Sequence, residues 1–223
     1  MSKNSNKLMR GNDITRGKLL DAAERCFARQ GYWGTSVREI VSEGQVQLGL
    51  LNHYFGGKEE LFRQVVNRRA REHASAMSEG LDRLLEQKTS PTVEDLIRAC
   101  VEPLLILSQT GGEGWKNYAQ LIGRVMPGRQ YEKFLEPIAD VYDGVVSRFI
   151  DEIRKTFVIA DERRLFLSFY FLQCSFFCIL LEPNLLERQS GALCKSEALD
   201  DILDELIPFF GAAFRVRIGA PIS

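Results

Sequence analysis

The stretch from Thr35 to Leu61 reads TSVREIVSEGQVQLGLLNHYFGGKEEL, and it decides the fold of the N-terminal part of the chain. It predicts a short helix, a turn at Gly44, a second short helix, and then a third helix that opens at Lys58. This arrangement presents a small exposed helix on a rigid three-helix base. The outward side chains of such a helix fit the major groove of DNA.

The apolar spacing gives each short helix an inner and an outer face. Thr35 or Ser36 is a favourable N-cap, and Glu39, three residues after Ser36, completes a capping-box pattern. The inner positions are Val37, Ile40 and Val41 in the first helix and Val46, Leu51 and Phe55 in the second. The second helix is predicted from about Gln47 to Tyr54. Its outward positions are Gln47, Leu48, Gly49, Leu50, Asn52 and His53.

The pair Gly56-Gly57 ends the second short helix, and Lys58 stands in the first turn of the next one. A cation at this end of a helix opposes the helix dipole. The position of Lys58 is therefore better explained by contact with a ligand than by a contribution to the stability of the helix. We expect Lys58 to meet a phosphate beside free backbone N–H groups.

The charge of the chain is divided between its two parts. The net charge is −1 over 223 residues, of which 45% are hydrophobic and 26% charged. Residues 1–73 hold 13 Lys and Arg against 8 Asp and Glu, whereas the remainder holds 16 against 22, so the two parts carry +5 and −6. A basic N-terminal module on an acidic body is typical of a nucleic-acid reader with a second task. Chance clustering is the alternative.

Residues 1–12 are polar and carry Lys3, Lys7 and Arg10 without the apolar core of a signal peptide. We expect a disordered basic arm there. The five cysteines are Cys26, Cys100, Cys174, Cys178 and Cys194, an odd number without export features, which indicates reduced thiols and a cytoplasmic location. With only two histidines, neither near Cys174 and Cys178, we expect no metal site and no cofactor.

Helical periodicity runs through nearly all of the chain and predicts an all-α protein. A first helix from Asp13 or Thr15 to about Gln30 completes a helix-turn-helix DNA-binding domain over residues 13–57. Residues 58–223 are predicted to form a larger helical ligand-binding and dimerisation domain that begins with a long linking helix over 58–87. Further helices are expected at about 93–109, 115–125, 129–157, 165–181 and 196–217.

The segment from Leu165 to Leu181, LFLSFYFLQCSFFCILL, is the most apolar of the chain. At 17 residues it is at the short limit for crossing a membrane, and it contains Ser168, Gln173 and Ser175. We therefore expect a buried helix and no membrane partner. A helix that is apolar all round must be covered by its own domain or by a partner subunit. With the apolar last helix it predicts a four-helix homodimer interface, against the alternative of a monomeric core.

Residues 14–62 resemble the TetR family of bacterial transcriptional regulators. The matching pieces are LLDAAERCFARQGYWGTSVREI over 19–40, Val46, Gly49, Leu51, HYF over 53–55 and GGKEELF over 56–62. The resemblance implies that Ser36 and Lys58 hold phosphates, that Arg38 reaches a base edge and that Gln47 caps the recognition helix or touches the backbone. The residues implied to lie in or beside the major groove are Leu48, Gly49, Leu50, Asn52, His53 and Tyr54.

The sequence departs from the family pattern at Leu48, Leu50 and Asn52, where family members commonly have a polar or basic residue, Thr and Tyr. The turn reads Gly44-Gln45 where Ala-Gly is usual. Exposed leucines can meet thymine methyl groups, and asparagine can bond adenine. The alternative is that Leu48 or Leu50 packs inward.

The resemblance implies a dimeric DNA-binding repressor, less often an activator, that a small molecule releases from a palindromic operator. The segment GEGWKNYAQLIGRV over 112–125 also resembles the fatty-acid-responsive branch, so a fatty-acyl effector is the first expectation and an aromatic one the second. Arg124 would anchor an acidic head group. The other candidate pocket residues are Trp115, Tyr118, Leu121, Ile122, Phe134, Tyr142, Phe169, Gln173 and Phe177. A plain aromatic core is the alternative for these side chains.

Two other classes of function fit the sequence less well. An enzyme would need a nucleophile, base or metal constellation, and the two histidines do not provide one. A structural DNA-packaging protein would explain the basic module but not the large aromatic body. Preference for one palindromic site over bulk DNA distinguishes a regulator from a packaging protein.

Overall fold

The computed structural model describes residues 3–126, 128–159, 161–195 and 199–219, with the backbone alone at 3–12, 137, 183, 199 and 200. This described part is all-helical, as predicted. Its helices are α1 (Lys3–Gly34), α2 (Val37–Glu43), α3 (Leu48–Phe55), α4 (Lys58–Gln87), α5 (Val93–Thr110), α6 (Glu113–Val125), a 3-10 turn (Arg129–Tyr131), α7 (Glu132–Thr156), α8 (Glu162–Leu181), α9 (Pro183–Gln189) and α10 (Leu199–Ile218).

Helix α1 differs from the prediction at its start. Met1 and Ser2 lie outside the described residues, and α1 begins at Lys3, whereas a disordered arm was predicted over residues 1–12. No proline interrupts these residues, and extending a helix that packing has already nucleated costs little. The predicted end is confirmed, because Gly31 has the non-helical angles φ 69° and ψ 178°.

The caps explain most of the other boundaries. Helix α4 spans the predicted residues 58–87. At the start of α5, Thr92 and Asp95 form a complete capping box, with Asp95 N donating to Thr92 Oγ1 at 3.2 Å and Thr92 N donating to the Asp95 carboxylate at 2.9 Å. Helix α9 was not predicted, because its seven residues are too few to show a periodic stripe.

The helices form two packed units. Helices α1, α2 and α3, with the start of α4, make up the N-terminal unit, which we call the head. Helix α4 runs from the head into the C-terminal body, where it packs against α5 and α7. Helix α6 lies between α1, α5 and α8, and α10 covers α5 and α8. The buried apolar side chains of head and body belong to one continuous core.

Helix α6 approaches α8 unusually closely at Gly123. A Cβ atom there would lie 2.8 Å from the backbone nitrogen of Leu181 and 2.9 Å from the carbonyl oxygen of Phe177. Both neighbours are backbone atoms, which cannot turn aside as a flexible side chain can. Glycine at this position therefore sets the distance between the two helices.

A buried ion pair and a cation–π contact join the head to the body. Glu24 of α1 is 1% exposed, and its carboxylate accepts hydrogen bonds from the Arg69 guanidinium of α4 at 3.2 and 3.4 Å. The same guanidinium lies 5.0 Å from the centre of the Trp115 ring on α6. Burial raises the pKa of the Glu24 carboxyl, and its bond to Arg69 opposes that rise. Three helices thus meet at one charged group.

Helix α8 buries one face and exposes the other. Leu165, Ser168, Phe169, Leu172, Phe176 and Leu180 are buried, whereas Phe166, Leu167, Tyr170 and Phe171 are 52, 40, 59 and 56% exposed. The expectation of a helix covered on all sides is thus not met within one subunit, which leaves the predicted partner subunit to cover the exposed face. By length and composition α8 could also cross a membrane. However, it packs along α6, α7 and α10 in the body, as expected for a core helix.

Candidate functional site: a nucleic-acid interface and a buried cavity

The turn between α2 and α3 fixes the direction in which α3 projects. Gly44 ends α2, and its N–H donates to the Ile40 carbonyl at 2.9 Å. Gln45 follows in the left-handed region with φ 52°, a conformation that favours glycine. Val46 N then donates to the Val41 carbonyl at 2.9 Å and closes the turn. The turn is therefore as tight as the sequence predicts, although a non-glycine residue takes its left-handed position.

The turn approaches α1 closely at Gly44. A Cβ atom there would lie 3.3 Å from Ala22 Cβ and 3.5 Å from the Lys18 carbonyl oxygen. These contacts brace the turn against the first helix of the head. The turn that precedes α3 is thus held by close contact with α1.

The start of α2 only partly follows its predicted cap. Ser36 Oγ accepts a hydrogen bond from Glu39 N at 3.1 Å, as expected of an N-cap. The Glu39 carboxylate accepts instead from Gln30 Nε2 at 2.5 Å, so the capping box is not closed by Glu39. The side chain of Glu39 therefore ties α2 to the end of the first helix.

Helix α3 buries the predicted face. Leu51 and Phe55 are buried, and Val46 packs against the core. The exposed residues are Gln47, Leu48, Gly49, Asn52 and His53, while Leu50 and Tyr54 are partly buried. Leu48 is 47% exposed, so the alternative in which it packs inward is wrong. Gln47 occupies the N-cap position, but its side chain makes no capping hydrogen bond.

Ser36 and Arg38 lie at the exposed start of α2, next to this face in the head. Within the described residues, no carboxylate lies within ion-pair distance of Arg38. Arg25 and Arg29, by contrast, both pair with Glu43 at 2.8 and 3.4 Å. Arg38 therefore offers a guanidinium that an external anion or base edge can use.

Lys58 is placed differently from the prediction. It does open α4, but its Nζ atom lies 4.3 Å from the centre of the Tyr32 ring, and the side chain is half-buried. Partial burial lowers the pKa of its ammonium group. The interpretation of Lys58 as a purely ligand-facing residue is thus incomplete, because its charge also stabilises the packing of the head through a cation–π contact.

A cavity of about 60 Å³ lies inside the body, where five helices meet. It has room for a few water molecules, so a larger guest, and a long acyl chain most of all, requires the helices to move apart. Its lining comprises His73 and Met77 of α4, Cys100 and Val101 of α5, Ile122 and Met126 from the end of α6, Tyr142 and Val146 of α7, and Leu172, Gln173, Phe176 and Phe177 of α8.

A chain of three polar side chains reaches the cavity. His73 Nδ1 and the Tyr142 hydroxyl are 2.8 Å apart, and the hydroxyls of Tyr142 and Tyr118 are 3.2 Å apart. Burial lowers the pKa of His73 to about 4 and raises that of Tyr142 to about 12. All three groups are therefore neutral at physiological pH, and His73 Nε2 is buried without a hydrogen-bond partner in the described part of the chain.

The structure brings four of the predicted pocket residues to this cavity, namely Ile122, Tyr142, Gln173 and Phe177. The other six lie elsewhere. Trp115 packs under Arg69, Tyr118 stands behind Tyr142, and Leu121 and Phe169 are core residues. Phe134 belongs to an aromatic cluster with Tyr32, Phe62 and Tyr131.

Arg124, the predicted anchor for an acid, does not line the cavity. A Cβ atom on Gly31 would lie 3.1 Å from Arg124 Cδ and 3.0 Å from the Tyr131 hydroxyl, which places this arginine at the junction of α1 and α6. Helical periodicity identified the apolar side of α6 but could not separate cavity wall from solid core. His73 was not predicted as a pocket residue, because its contact with Tyr142 joins positions 69 residues apart.

Both units of the chain match family models. Residues 19–65 match the model described as "Bacterial regulatory proteins, tetR family", and residues 98–213 match the model described as "Tetracyclin repressor-like, C-terminal domain". The second match alone covers more than half of the chain. The first covers the head described above, and the second covers the helices that enclose most of the cavity.

Curated relatives match over part of the chain. The "HTH-type transcriptional repressor AcnR" of Corynebacterium efficiens is 40% identical over 65 residues, which are 29% of this chain and 32% of the relative. The "HTH-type transcriptional regulator LmrA" of Bacillus subtilis is 33% identical over 90 residues, which are 40% of this chain and 39% of the relative. The match thus spans only about a third of these relatives' length.

Solved structures match over most of the chain. A TetR-like transcriptional regulator from Rhodococcus sp. RHA1 has a TM-score of 0.59 at 17% identity and covers 89% of this chain and 96% of its own. HlyIIR, a hemolysin II transcriptional regulator, has a TM-score of 0.57 at 20% identity and covers 89% of this chain and 97% of its own. At these identities the likeness concerns the fold alone.

Proposed function

Because the chain belongs to the TetR family of bacterial transcriptional regulators, we propose that it is a cytoplasmic, homodimeric repressor that a small, largely apolar effector releases from a palindromic operator. The observation that carries this proposal is the exposed face of α3, which a tight turn holds outward from the head. The family is one of helix-turn-helix transcriptional regulators and not of enzymes. One of its curated relatives is described as a repressor, which favours that sign of regulation.

The proposed reading head combines apolar and polar contacts. Leu48 is exposed on α3 and can meet a thymine methyl group, and Asn52 can bond an adenine edge. Arg38 has its guanidinium available for a base or a phosphate. Ser36 and Lys58 are the proposed phosphate contacts, and reaching one requires the Lys58 ammonium to turn from the Tyr32 ring. Gly49, Leu50, His53, Tyr54 and Gln47 complete the proposed surface.

The exposed strip of α8 supports a dimer. Phe166, Leu167, Tyr170 and Phe171 lie on one face, at the i, i+1, i+4 and i+5 positions. Phe209 of α10 is also 70% exposed. A patch of large aromatic residues on a regulator that reads DNA is best covered by a second copy of the same patch around a twofold axis. The twofold axis then matches the symmetry of a palindromic operator.

The cavity is placed so that a ligand can act on the head. Its walls include His73 and Met77 of α4, the helix that begins at Lys58 in the head. They also include the end of α6, which packs along α1. A ligand that widens the cavity must displace one of these helices. The two heads then no longer fit successive major grooves, which lie about 34 to 36 Å apart. Operator affinity falls by the difference between the ligand's binding free energies for the widened dimer and for the DNA-binding dimer.

Selection of bound duplexes from random DNA, followed by fluorescence anisotropy on the selected site, tests the proposal. We expect a palindromic site bound at least about a thousandfold tighter than bulk DNA. A small apolar effector should then lower that affinity. Equal affinity for all duplexes would favour a packaging protein and contradict a regulator, and a selected site without twofold symmetry would contradict the dimer.

Substituting two basic residues of the head should have different effects. Arg38→Ala is expected to relax preference at one base position, at a cost of about 1 to 3 kcal/mol for the preferred base. Lys58→Ala is expected to weaken binding to all sequences alike and to reduce the salt slope by about one. Both effects are measured by anisotropy titrations at several salt concentrations. Thermal melting of Lys58→Ala accounts for its lost contact with Tyr32, and identical binding behaviour of the two variants would contradict the assigned roles.

A charge on the exposed strip of α8 should separate the subunits. Phe171→Glu is expected to raise the Kd of the dimer at least about thirtyfold, because it buries an unpaired carboxylate in an aromatic interface. Analytical ultracentrifugation measures this shift, and binding to the palindrome should weaken with it. The matched control is Ile106→Glu, a similarly exposed apolar residue of α5, which should leave the dimer intact. A Phe171→Glu dimer as tight as the wild type would exclude this face.

A further inference from the structure

His73 is a buried polar side chain, and only one of its two ring nitrogens makes a hydrogen bond in the described structure. The residue is 5% exposed, lies on the cavity wall, and uses Nδ1 to contact the Tyr142 hydroxyl. Its Nε2 atom is fully enclosed by the protein and has no hydrogen-bond partner among the residues that the structure describes. Leaving such a group unpaired costs about 1 to 3 kcal/mol, so an unpaired nitrogen on a cavity wall indicates a position for a partner.

The hydrogen-bond chain determines which tautomer His73 adopts. Within the described part of the protein, Tyr142 is the hydrogen-bond partner of the Tyr118 hydroxyl, and Tyr118 is fully buried. Tyr118 must therefore donate to Tyr142, because its proton would otherwise have no acceptor. Tyr142 then donates to His73 Nδ1. A neutral imidazole that accepts at Nδ1 carries its proton at Nε2, so the unpaired nitrogen of this cavity-lining residue is an N–H donor.

The rest of the cavity wall is uncharged. Its other polar members are Gln173, Cys100 and the Tyr142 hydroxyl, and the described residues of the lining include no Lys, Arg, Asp or Glu. A buried carboxylate without a cation is costly, and the same holds for a buried ammonium group without an anion. The arginine that the sequence offered as an acid anchor, Arg124, lies at the junction with α1 instead. The cavity thus favours a neutral guest.

We propose that the cavity binds an uncharged, mostly apolar molecule with a carbonyl oxygen that accepts a hydrogen bond from His73 Nε2. This inference rests on the proposed effector function, whose ligand class it specifies. The acceptor completes the chain that runs from Tyr118 through Tyr142 to His73. Burial keeps the pKa of the imidazole far below physiological pH, so binding of a ketone or an ester requires no proton uptake. A fatty acid anion would require one, or would leave its charge unpaired.

The tautomer is measurable without any ligand. The chain contains only two histidines, His53 and His73, so a ¹⁵N-histidine-labelled sample gives two imidazole spin systems. His53→Gln removes one of them and assigns the other. Two-bond ¹H–¹⁵N correlations at pH 7 should show His73 neutral and protonated at Nε2. Protonation at Nδ1 would present an acceptor to the cavity and would overturn the proposal.

Matched probes test the ligand class. Cyclopentanone is compared with methylenecyclopentane, and acetophenone with α-methylstyrene, since each pair differs only in replacing the carbonyl oxygen by CH₂. Binding is followed on the His73 Nε2 signal and by calorimetry. We expect each ketone to bind at least about fivefold tighter than its alkene, and benzoate to bind more weakly than acetophenone. Equal affinities within a pair, tighter binding of benzoate, or no ketone binding up to solubility would overturn the proposal.

Two variants distinguish the contribution of the hydrogen bond to ketone binding from the contribution of the cavity's shape. His73→Phe should bring the ketone and its alkene to within about twofold, whereas Met77→Leu, one helical turn further along the same wall, should keep their difference. If His73→Phe does not fold, the tautomer and the probe pairs on the wild type still decide the proposal. Ketones that bind as expected but leave operator affinity unchanged would contradict the effector function alone, and the binding inference would stand.

Discussion

Replacing Arg69 with leucine is expected to lower the free energy of unfolding by about 3 kcal/mol at pH 7, because it leaves the carboxylate of Glu24 buried with too little compensation. Glu24 is 1% exposed, and Arg69 makes both of its side-chain hydrogen bonds. Arg68 Nη1 remains 3.9 Å from the carboxylate, so part of the attraction is kept. Urea unfolding at a fixed protein concentration measures the loss, since the stability of a dimer depends on concentration.

The pH dependence identifies the cause of this loss. Burial already raises the pKa of Glu24, and without Arg69 that pKa rises further. A carboxyl whose pKa is higher in the folded state than in the unfolded state destabilises the fold as pH rises through that value. The deficit of Arg69→Leu should therefore shrink at pH 5 and grow at pH 8. The double variant Glu24→Leu/Arg69→Leu should recover most of the loss.

An exposed ion pair of the same helix is the control for Arg69→Leu. Arg83 and Glu79 lie 3.9 Å apart with side chains 64 and 62% exposed. Arg83→Leu should cost less than about 0.5 kcal/mol, because water screens such pairs. A comparable loss in both variants, or a loss independent of pH, would show that Glu24 and Arg69 do not depend on each other.

The second large effect is a loss of stability in mild acid that His73 causes. Its pKa is lowered from 6.5 to about 4 in the folded protein because burial disfavours the charged imidazole. The unfolded chain takes up the proton as pH falls through 6.5, whereas the folded chain does so only near 4. The free energy of unfolding therefore loses nothing through His73 above pH 6.5, and it falls as pH decreases from 6.5 to about 4. The wild type should lose about 3 kcal/mol through this residue between pH 7 and pH 4.

Comparison with His73→Gln isolates this contribution, because the carboxylates titrate in both proteins and their effect cancels. Urea unfolding at intervals from pH 7 to pH 4 should show a steeper decline for the wild type. Tyr142 and Cys100 share the cavity with His73 and have pKa values of about 12, so neither titrates in this range. Tyr142→Phe keeps the buried histidine and should keep the steep decline. Parallel curves for the wild type and His73→Gln would show that His73 is hydrated or charged in the folded state.

Signals from neighbouring residues were enough to predict most of the helices and the exposed face of α3. Ser36, Gly44 and Gly56 mark boundaries through backbone chemistry that neighbouring residues alone decide. The inward spacing of Leu51 and Phe55 then leaves the opposite side of α3 exposed, whatever the rest of the chain does. The same reasoning gave the bounds of α4 and the cap of α5. It did not predict the helical backbone of residues 3–12, because their polar composition shows no apolar stripe.

The cavity and the head–body junction depended on contacts between distant parts of the chain. Periodicity showed that Phe134, Phe169 and Trp115 face inward, but it could not show which inward residues meet a void and which meet each other. His73 pairs with a tyrosine 69 positions away, and Glu24 with an arginine 45 positions away. The amino-acid sequence by itself thus determined the helices, the exposed recognition helix and the family. Only the tertiary structure decided where the cavity lies and which buried polar groups were left unpaired, because burial and hydrogen-bond partners are properties of packed neighbours, most of which are far apart in sequence.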